Sequence, residues 1–340
     1  MSLEQGVGSV AVAAIVMYAI FGGADFGGGI WTFLASGPRK DAQRNSLERA
    51  IGPVWETNHV WLILLVVTLF VVFPTAFAAI FTALYIPLFI ALVGIVARGA
   101  AFALRHYGDR ASQMSHLSLQ SFSVASLLTP FAFGLVIGAV TGGHIEVQGS
   151  DVISGPFAGW LEPFALLCGL IGLLVCAFVA AAFMVPRTEG ALQRDFRNRA
   201  IVASIALGVV TTITIPVAHW DARQFSDELN RPEVIASMAV TALIGLVTLT
   251  LLWRGASFVI PVLAGATAAG VIISWALAQN PHLIAPGLTL TDAAAAPYTM
   301  KSFLLSLPVG AAILVPSLLL LYITFSRDVF RESDKPQQPL

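Results

Sequence analysis

Long runs of apolar residues separated by short polar stretches form the dominant pattern along the chain. Each run reaches the roughly 20 residues that an α-helix needs to cross the hydrocarbon core of a bilayer. The pattern therefore predicts nine transmembrane helices, of which the second and third are separated only by the uncharged turn Phe73–Thr75. The nine predicted helices cover residues 7–35, 51–73, 75–104, 121–141, 159–185, 200–219, 233–253, 257–279 and 302–325.

The composition indicates that lipid, rather than water, is the main solvent of the chain. Of the 340 residues, 57% are hydrophobic and 11% are charged, and the mean hydropathy is +0.84. Soluble domains carry about 25% charged residues. The net charge of −1 excludes a basic surface for nucleic acid. Cys168 and Cys176 share one predicted helix, about 12 Å apart along its axis, which is too far for a disulfide bond. We therefore expect an all-α polytopic membrane protein.

The distribution of Lys and Arg over the loops predicts the orientation. Basic residues concentrate in alternate loops, and such loops face the cytoplasm. This places the N-terminus outside and the C-terminus in the cytoplasm. The residues that carry this prediction are Arg39, Lys40, Arg44, Arg49, Arg105, Arg110, Arg187, Arg194, Arg197, Arg199, Arg254, Arg327, Arg331 and Lys335.

Two short sequence matches indicate an internal repeat. Arg49–Ile51 at the start of helix 2 recurs as Arg199–Ile201 at the start of helix 6, and Arg98–Phe102 recurs as Arg254–Phe258 at nearly the same separation. Four helices per unit would make both units point the same way, as a parallel repeat. The predicted architecture is two four-helix bundles plus one peripheral helix. Its parts are residues 1–145, residues 146–285, the ninth helix with its preceding loop at 286–326, and a disordered cytoplasmic tail at 327–340.

Two carboxylates fall inside predicted helices, where an ionised group is costly unless it is paired, protonated or hydrated. Asp25 lies in the glycine-rich stretch Gly22–Gly29, and Glu56 lies in the polar stretch Pro53–Trp61. Helical rise puts Asp25 about 15 Å, Glu56 about 8 Å and Arg98 about 9 Å from the same membrane surface. We therefore expect groups from three consecutive helices to converge near the cytoplasmic side.

Two interpretations of these residues compete. In the structural one, Asp25 pairs with Arg98 to fix helix packing, while Glu56 extends to the interface. In the functional one, a carboxylate, an amide and water molecules pass protons inward from the cytoplasm. Intramembrane acids favour the functional interpretation for Glu56 and Asp25, and packing is the simpler interpretation for Arg98. His59 shares a helix face with Glu56. It has no matched histidine on a facing helix, which gives little support for a haem or metal bound by this chain.

The same residues resemble a known family. Gly23–Gly29 (GADFGGG) followed by Ile51–Ile63 (IGPVWETNHVWLI) resembles subunit II of the cytochrome bd-type quinol oxidases, including their cyanide-insensitive branch. Leu84–Pro87 and the Arg98-Gly99 pair continue the pattern. These motifs cover residues 20–105, and beyond them only the topology and the basic loops agree.

The resemblance implies a subunit of a membrane heterodimer that oxidises quinol, reduces oxygen to water and moves charge across the membrane. Its partner, subunit I, is expected to hold haem b, haem d and the quinol-oxidising loop, so this chain would ligate no cofactor. The resemblance also allows a structurally bound quinone and a small accessory subunit. In the family, protons enter at a Trp-carboxylate pair, which corresponds here to Trp55 and Glu56, with Asn58 and Asp25 beside them. His59 and Arg98 would support this inlet.

Two alternatives come from other classes of protein. A secondary transporter is compatible with a parallel repeat, a glycine-rich first helix and an intramembrane acid. A purely structural oxidase subunit would cover the partner's haems and do no chemistry. The transporter would work without a haem-bearing partner. In the structural subunit, substitutions at Asp25 and Glu56 would act only through assembly.

Overall fold

The computed structural model describes residues 2–107, 113–148 and 151–333, with the side chains of 51–57, 102–107, 113–119 and 321–333 left out. Within those ranges the chain is almost entirely helical, apart from two short β-hairpins. The elements are α1 (Leu3–Phe33), α2 (Lys40–Val72), α3 (Pro74–Ala83), α4 (Tyr85–Tyr107), α5 (Gln113–Gly142), β1 (Val147–Gln148), β2 (Asp151–Val152), α6 (Pro163–Met184), α7 (Gly190–Asp221), α8 (Arg223–Glu228), α9 (Pro232–Trp253), α10 (Ile260–Gln279), β3 (His282–Ile284), β4 (Leu288–Thr289), α11 (Leu290–Ala293) and α12 (Pro297–Ser333).

The all-helical membrane architecture is confirmed, but the described residues do not give nine uninterrupted spans. Seven helices in this part of the chain are long and apolar enough to cross a membrane: α1, α5, α6, α7, α9, α10 and α12. An eighth candidate is a bent pair formed by Asn58–Val72 of α2 and by α3. The apolar part of α4, Tyr85–Ala101, is shorter. Several helices extend past their apolar runs into polar loop sequence, as α2 and α7 do at their first turns.

The prediction of a single helix over residues 75–104 is wrong. The chain breaks at Phe73, as expected, and α3 turns away from α2 by 117°. It breaks again at Leu84, which leaves the helical conformation at φ −113° and ψ 26°. Pro87 supplies the reason, because a continuous helix would require its missing N–H to bond with the carbonyl of Ala83. In the first turn of α4 no such N–H is needed, so the helix restarts at Tyr85.

Small residues allow α1 and α6 to approach closely at the centre of the molecule. Gly23 and Gly27 of α1 face Cys176 of α6, as the spacing of these glycines predicts. A Cβ atom at Gly27 would collide with the carbonyl oxygen of Cys176 and with the methyl group of Ala180. Both cysteines are free thiols, in agreement with the sequence. Because α1 also contacts α2, α5 and α10, it is the helix around which the others are arranged.

The last helix lies at the periphery. In its membrane-length segment Pro297–Leu320 only Met300, near the start, is buried among the described residues. The main contacts of the helix are with α1 and α2. The helix continues to Ser333, into the segment expected to be a disordered tail. No Gly or Pro occurs between Arg327 and Lys335, so nothing in the sequence forces an earlier end. Residues 334–340 lie outside the described residues.

The two hairpins lie at one end of the bundle and tie its loops together. The strands β1 and β2 pair antiparallel, as do β3 and β4. Ala285 N donates to the carbonyl of Val140 at 2.9 Å, and Trp275 Nε1 donates to Thr141 Oγ1 at 2.9 Å. The end of α5 is thereby fixed to α10 and to the loop that follows it.

We expect Gly27→Ala to destabilise the protein, because the new methyl group must displace the α6 backbone. Overpacking of this kind costs about 1–3 kcal/mol. Gly208→Ala in α7 is the matched control, since a Cβ there meets nothing within 4 Å, and it should be neutral or stabilising by up to about 1 kcal/mol. Thermal unfolding of the two detergent-solubilised variants measures the difference. Equal midpoints would contradict the close approach of α1 and α6.

Candidate functional site

Asp25 lies at the point where three helices meet. It belongs to α1 and is fully buried. One carboxylate oxygen, Oδ1, accepts a hydrogen bond from Arg98 Nη2 of α4 at 2.5 Å. The other, Oδ2, accepts one from Asn58 Nδ2 of α2 at 2.7 Å. Both bonds are short and involve a charged group, which makes them stronger than bonds between neutral partners.

Arg98 is only 1% exposed and makes several contacts with residues of the bundle. Its Nη2 also donates to the backbone carbonyl of Asp25 at 2.8 Å. Its guanidinium carbon lies 4.7 Å from the ring centroid of Phe26 and 4.5 Å from that of Phe122. An aromatic face attracts a cation electrostatically, and this attraction is strongest where water is excluded. The two rings therefore replace part of the solvation that Arg98 loses on burial.

The glycines after Asp25 explain how Phe122 reaches this position. Gly29 faces α5, where a Cβ atom would collide with Ser126 Oγ and would lie 3.2 Å from the Phe122 ring. Without a side chain at Gly29, α5 packs directly on α1, and Phe122 reaches the guanidinium of Arg98 from that helix. The glycine-rich sequence therefore contributes to the site by making room for the aromatic cover of the ion pair.

Some polar atoms of the site have remaining hydrogen-bonding capacity. Within the described part of the chain, Arg98 Nε and Nη1 and Asn58 Oδ1 are buried and have no hydrogen-bond partner. Buried groups of this kind are normally satisfied by another side chain or by ordered water. The donors of Arg98 and the acceptor of Asn58 are therefore available to further polar groups at the junction of α2 and α4.

The structure brings together Asp25, Asn58 and Arg98 from the set that the sequence singled out. His59 follows Asn58 on α2, is partly buried and is near enough to Asp25 to interact with it electrostatically. Trp55 and Glu56 belong to α2, but their side chains lie outside the part of the chain that the structure describes. The Asp25–Arg98 contact is the one that the packing interpretation predicts, and the part each residue plays in proton transfer stays a prediction.

Two aromatic residues of the site were missed by sequence reasoning. Tyr18 packs edge-on against Phe26, with ring centroids 6.3 Å apart, and its hydroxyl is buried without a partner among the described residues. Its position two helical turns before Asp25 could have placed it on the same face of α1. Phe122 carries no such signal, because only the packing of α5 on α1 brings it to Arg98.

A second polar cluster joins α2 to α7 near the ends of these helices where the basic loops lie. Arg39 donates to both carboxylate oxygens of Asp195, at 2.6 and 2.7 Å. Gln43 donates to the same carboxylate at 3.0 Å and accepts from Arg199 Nη2 at 2.7 Å. The guanidinium of Arg199 lies 5.2 Å from the ring centroid of Trp31. The cluster connects the N-terminal parts of two helices that the sequence assigns to different repeat units.

The comparisons with known proteins decide the family. The family model described as cytochrome bd terminal oxidase subunit II matches residues 3–325. The chain belongs to this family. It is 27% identical to the cytochrome bd ubiquinol oxidase subunit 2 of Bacillus subtilis (strain 168) over 223 residues, which cover 65% of this chain and 64% of that protein. It is 26% identical to the cytochrome bd-I ubiquinol oxidase subunit 2 of Escherichia coli (strain K12) over 195 residues, which cover 56% of this chain and 50% of that protein.

The matches therefore span between half and two thirds of these two curated relatives. A longer match is the putative cytochrome bd menaquinol oxidase subunit II of Bacillus subtilis, 24% identical over 338 residues and 94% of both chains. The solved structure of the bd oxidase from Geobacillus thermodenitrificans agrees with a TM-score of 0.80 at 21% identity, over 96% of this chain and 99% of that one. This likeness shows the fold. With its apolar helices, this subunit II chain is an integral protein of the bacterial inner membrane.

We expect Asp25→Asn and Arg98→Gln each to destabilise this subunit II chain strongly. Each substitution leaves the charge of the other residue buried without a counter-charge, which lowers the free energy of unfolding by about 3–5 kcal/mol. The double variant removes both charges and should cost clearly less than the two single variants together. Unfolding by denaturing detergent in mixed micelles measures all three. Strictly additive costs would show that the two residues do not act as a pair.

Proposed function

We propose that the chain is the haem-free subunit II of a membrane quinol:oxygen oxidoreductase of the cytochrome bd type. The match of the family model to nearly the whole chain is the observation that carries this proposal. Relatives bear names of ubiquinol and menaquinol oxidase subunits, which supports quinol and oxygen as the substrates of the complex. The family assignment also favours an oxidase over the secondary transporter that an intramembrane acid and a repeat would allow.

The proposed partner is subunit I, which would hold haem b and haem d. Those haems would supply the electron transfer from quinol and the reduction of oxygen. This chain would stabilise subunit I and supply protons. Oxygen reduction to water consumes one proton for each electron, so a haem buried in the membrane needs a path for protons from the aqueous side.

The polar site at α1, α2 and α4 supports a proton inlet. Glu56 precedes Asn58 by two residues on α2, so their Cα atoms are about 3 Å apart along the helix axis. Asn58 Nδ2 donates a hydrogen bond to Asp25 Oδ2 at 2.7 Å, which fixes this part of α2 in the interior of the bundle. The inlet that we propose begins at Trp55 and Glu56 and continues past Asn58, with water between them.

The ion pair suggests how the work is divided among these residues. A carboxylate whose charge is matched by a guanidinium at 2.5 Å gains little from taking up a proton, since protonation would leave Arg98 without its counter-charge. Glu56 is therefore the better candidate for the group that is protonated and deprotonated in each cycle. Asp25 and Arg98 would hold Asn58 in position, and His59 would add a second titratable group beside the path.

The proposed orientation follows the basic loops. The end of the bundle with Arg39, Asp195 and Arg199 would face the cytoplasm, and the end with the two hairpins would face outward. Protons would then be taken from inside while quinol releases its protons outside, which moves charge across the membrane. The two four-helix units and the parallel repeat belong to the same proposal.

A purely structural subunit is the second candidate, and the Asp25–Arg98 pair itself favours it. A buried ion pair whose guanidinium packs against two aromatic rings stabilises helix packing, and no proton transfer is needed to explain it. The two candidate functions differ at Glu56. The proton inlet requires Glu56 to transfer protons, whereas a purely structural subunit does not.

We expect Glu56→Gln and Glu56→Ala to slow quinol oxidase turnover by about 100-fold, at the lower end of what loss of a positioned proton-transfer group costs. The haem spectra of the purified complex should stay unchanged, because the haems belong to the partner. Proton uptake coupled to oxygen consumption measures the defect. Asp41→Ala is the control, since Asp41 is an exposed acid near the start of the same helix.

The structural account makes the opposite prediction. If both Glu56 variants assemble, turn over and take up protons like the Asp41 control, the inlet does not pass through Glu56. If turnover falls only in proportion to the amount of assembled complex, the subunit acts through packing alone.

A further inference from the structure

A histidine and two carboxylates from separate parts of the chain meet at the end of the bundle where the hairpins lie. His144 follows the end of α5, Glu162 immediately precedes α6, and Asp221 is the last residue of α7. One possible ligand atom from each of the three residues lies within 4.8 Å of the other two. They lie at the other end of α7 from Asp195 and play no part in the ion pair of Asp25.

Asp221 is the fixed member of this cluster. Its side chain is only 6% exposed, and its Oδ2 accepts the backbone N–H of Phe164 at 2.7 Å. Its Oδ1 lies 3.2 Å from His144 Nε2, and the same nitrogen lies 3.0 Å from the backbone oxygen of Asp221. One carboxylate oxygen is thus used to orient the group, while the other points towards the histidine. Outer-shell hydrogen bonds of this kind orient the ligands of metal sites.

The two carboxylates of the cluster carry negative charge that a bound cation would compensate. The Glu162 side chain makes no hydrogen bond or ion pair with the residues that the structure describes, yet its carboxylate lies within 4.8 Å of that of Asp221. Two carboxylates so close repel each other unless a proton or a metal ion compensates them. The loop at residues 142–158 contains no Lys or Arg, and Arg223, close to Asp221 in the chain, is exposed. The ion pair recorded for this cluster among the described residues is that of Asp221 with His144, and an imidazole is charged only when protonated.

The donor set fits zinc, and so does the distance between the possible ligand atoms of His144 and Asp221. Ligands at about 2.0–2.2 Å from a tetrahedral Zn²⁺ ion lie about 3.3 Å from one another, and His144 Nε2 is 3.2 Å from Asp221 Oδ1. An imidazole nitrogen with two carboxylates suits Zn²⁺, whereas Ca²⁺ and Mg²⁺ prefer sites made of oxygen alone. We propose that His144, Glu162 and Asp221 form a zinc site that ties the ends of α5, α6 and α7 together at the hairpin end of the bundle.

The simpler explanation is a hydrogen bond from His144 Nε2–H to the oxygen atoms of Asp221. It accounts for these two residues, but it leaves Glu162 without a partner in the described structure. The two explanations therefore differ most clearly in what happens at Glu162.

The test uses the purified complex, stripped with a chelator and titrated with Zn²⁺ alone. We expect one bound zinc per chain, a higher thermal midpoint on zinc addition, and an X-ray absorption spectrum with one imidazole and oxygen ligands. His144→Gln and Glu162→Gln should each weaken zinc binding at least tenfold and abolish the shift of the midpoint. His282→Gln is the matched control, since His282 lies at the same end of the bundle and contacts Gln224 instead.

Either of two results would overturn the proposal. In the first, zinc binds both variants as tightly as it binds the wild type and the His282→Gln control. In the second, the stripped wild-type complex takes up no zinc beyond that of the His144→Gln variant. If a variant fails to assemble, the absorption spectrum of the wild type still decides, since a zinc ion bound without an imidazole ligand contradicts the site.

Discussion

The guanidinium of Arg98 carries a full charge although the residue is almost completely buried. Such a charge is tolerated only with a counter-charge and with hydrogen bonds in good geometry. Asp25 supplies the counter-charge at 2.5 Å and a backbone carbonyl at 2.8 Å, and the rings of Phe26 and Phe122 pack against the guanidinium. Much of the first half of the chain follows from this requirement. The glycines of α1 allow α5 to pack closely against it. Asn58 of α2 donates a hydrogen bond to the same carboxylate.

The same constraint shapes the functional account. An ion pair that links α1 to α4 would be poorly suited to gain and lose a proton in every turnover. It is well suited to hold a neighbouring helix at a fixed depth, and α2 is the helix that carries Glu56. In the proposed function, subunit II would therefore contribute to oxygen reduction through the position of one titratable group, and the redox chemistry would take place in the haem-bearing partner.

The parts of the structure that could be predicted are those that depend on single helices or on scarce residues. Charges inside the membrane are few, so the pairing of Asp25 with Arg98 was foreseeable, and the glycine spacing of α1 showed its contact face. The hydrophobic pattern does not show the break at Leu84, because apolar residues continue across it. Pro87 is the residue that marks the break in the sequence. Phe122 and Asp221 could not be assigned, since each reaches its neighbours only through the packing of helices far apart in sequence.

The central claim is that this subunit II chain works through a partner that holds the haems. The most direct test is a reduced-minus-oxidised optical spectrum of two samples: the chain purified alone, and the chain purified from its native membrane together with whatever accompanies it. The account predicts haem bands only in the second sample, along with a co-purified subunit I. Haem bands in the chain alone would contradict the assignment of the haems to the partner and would make His59 the first ligand to examine.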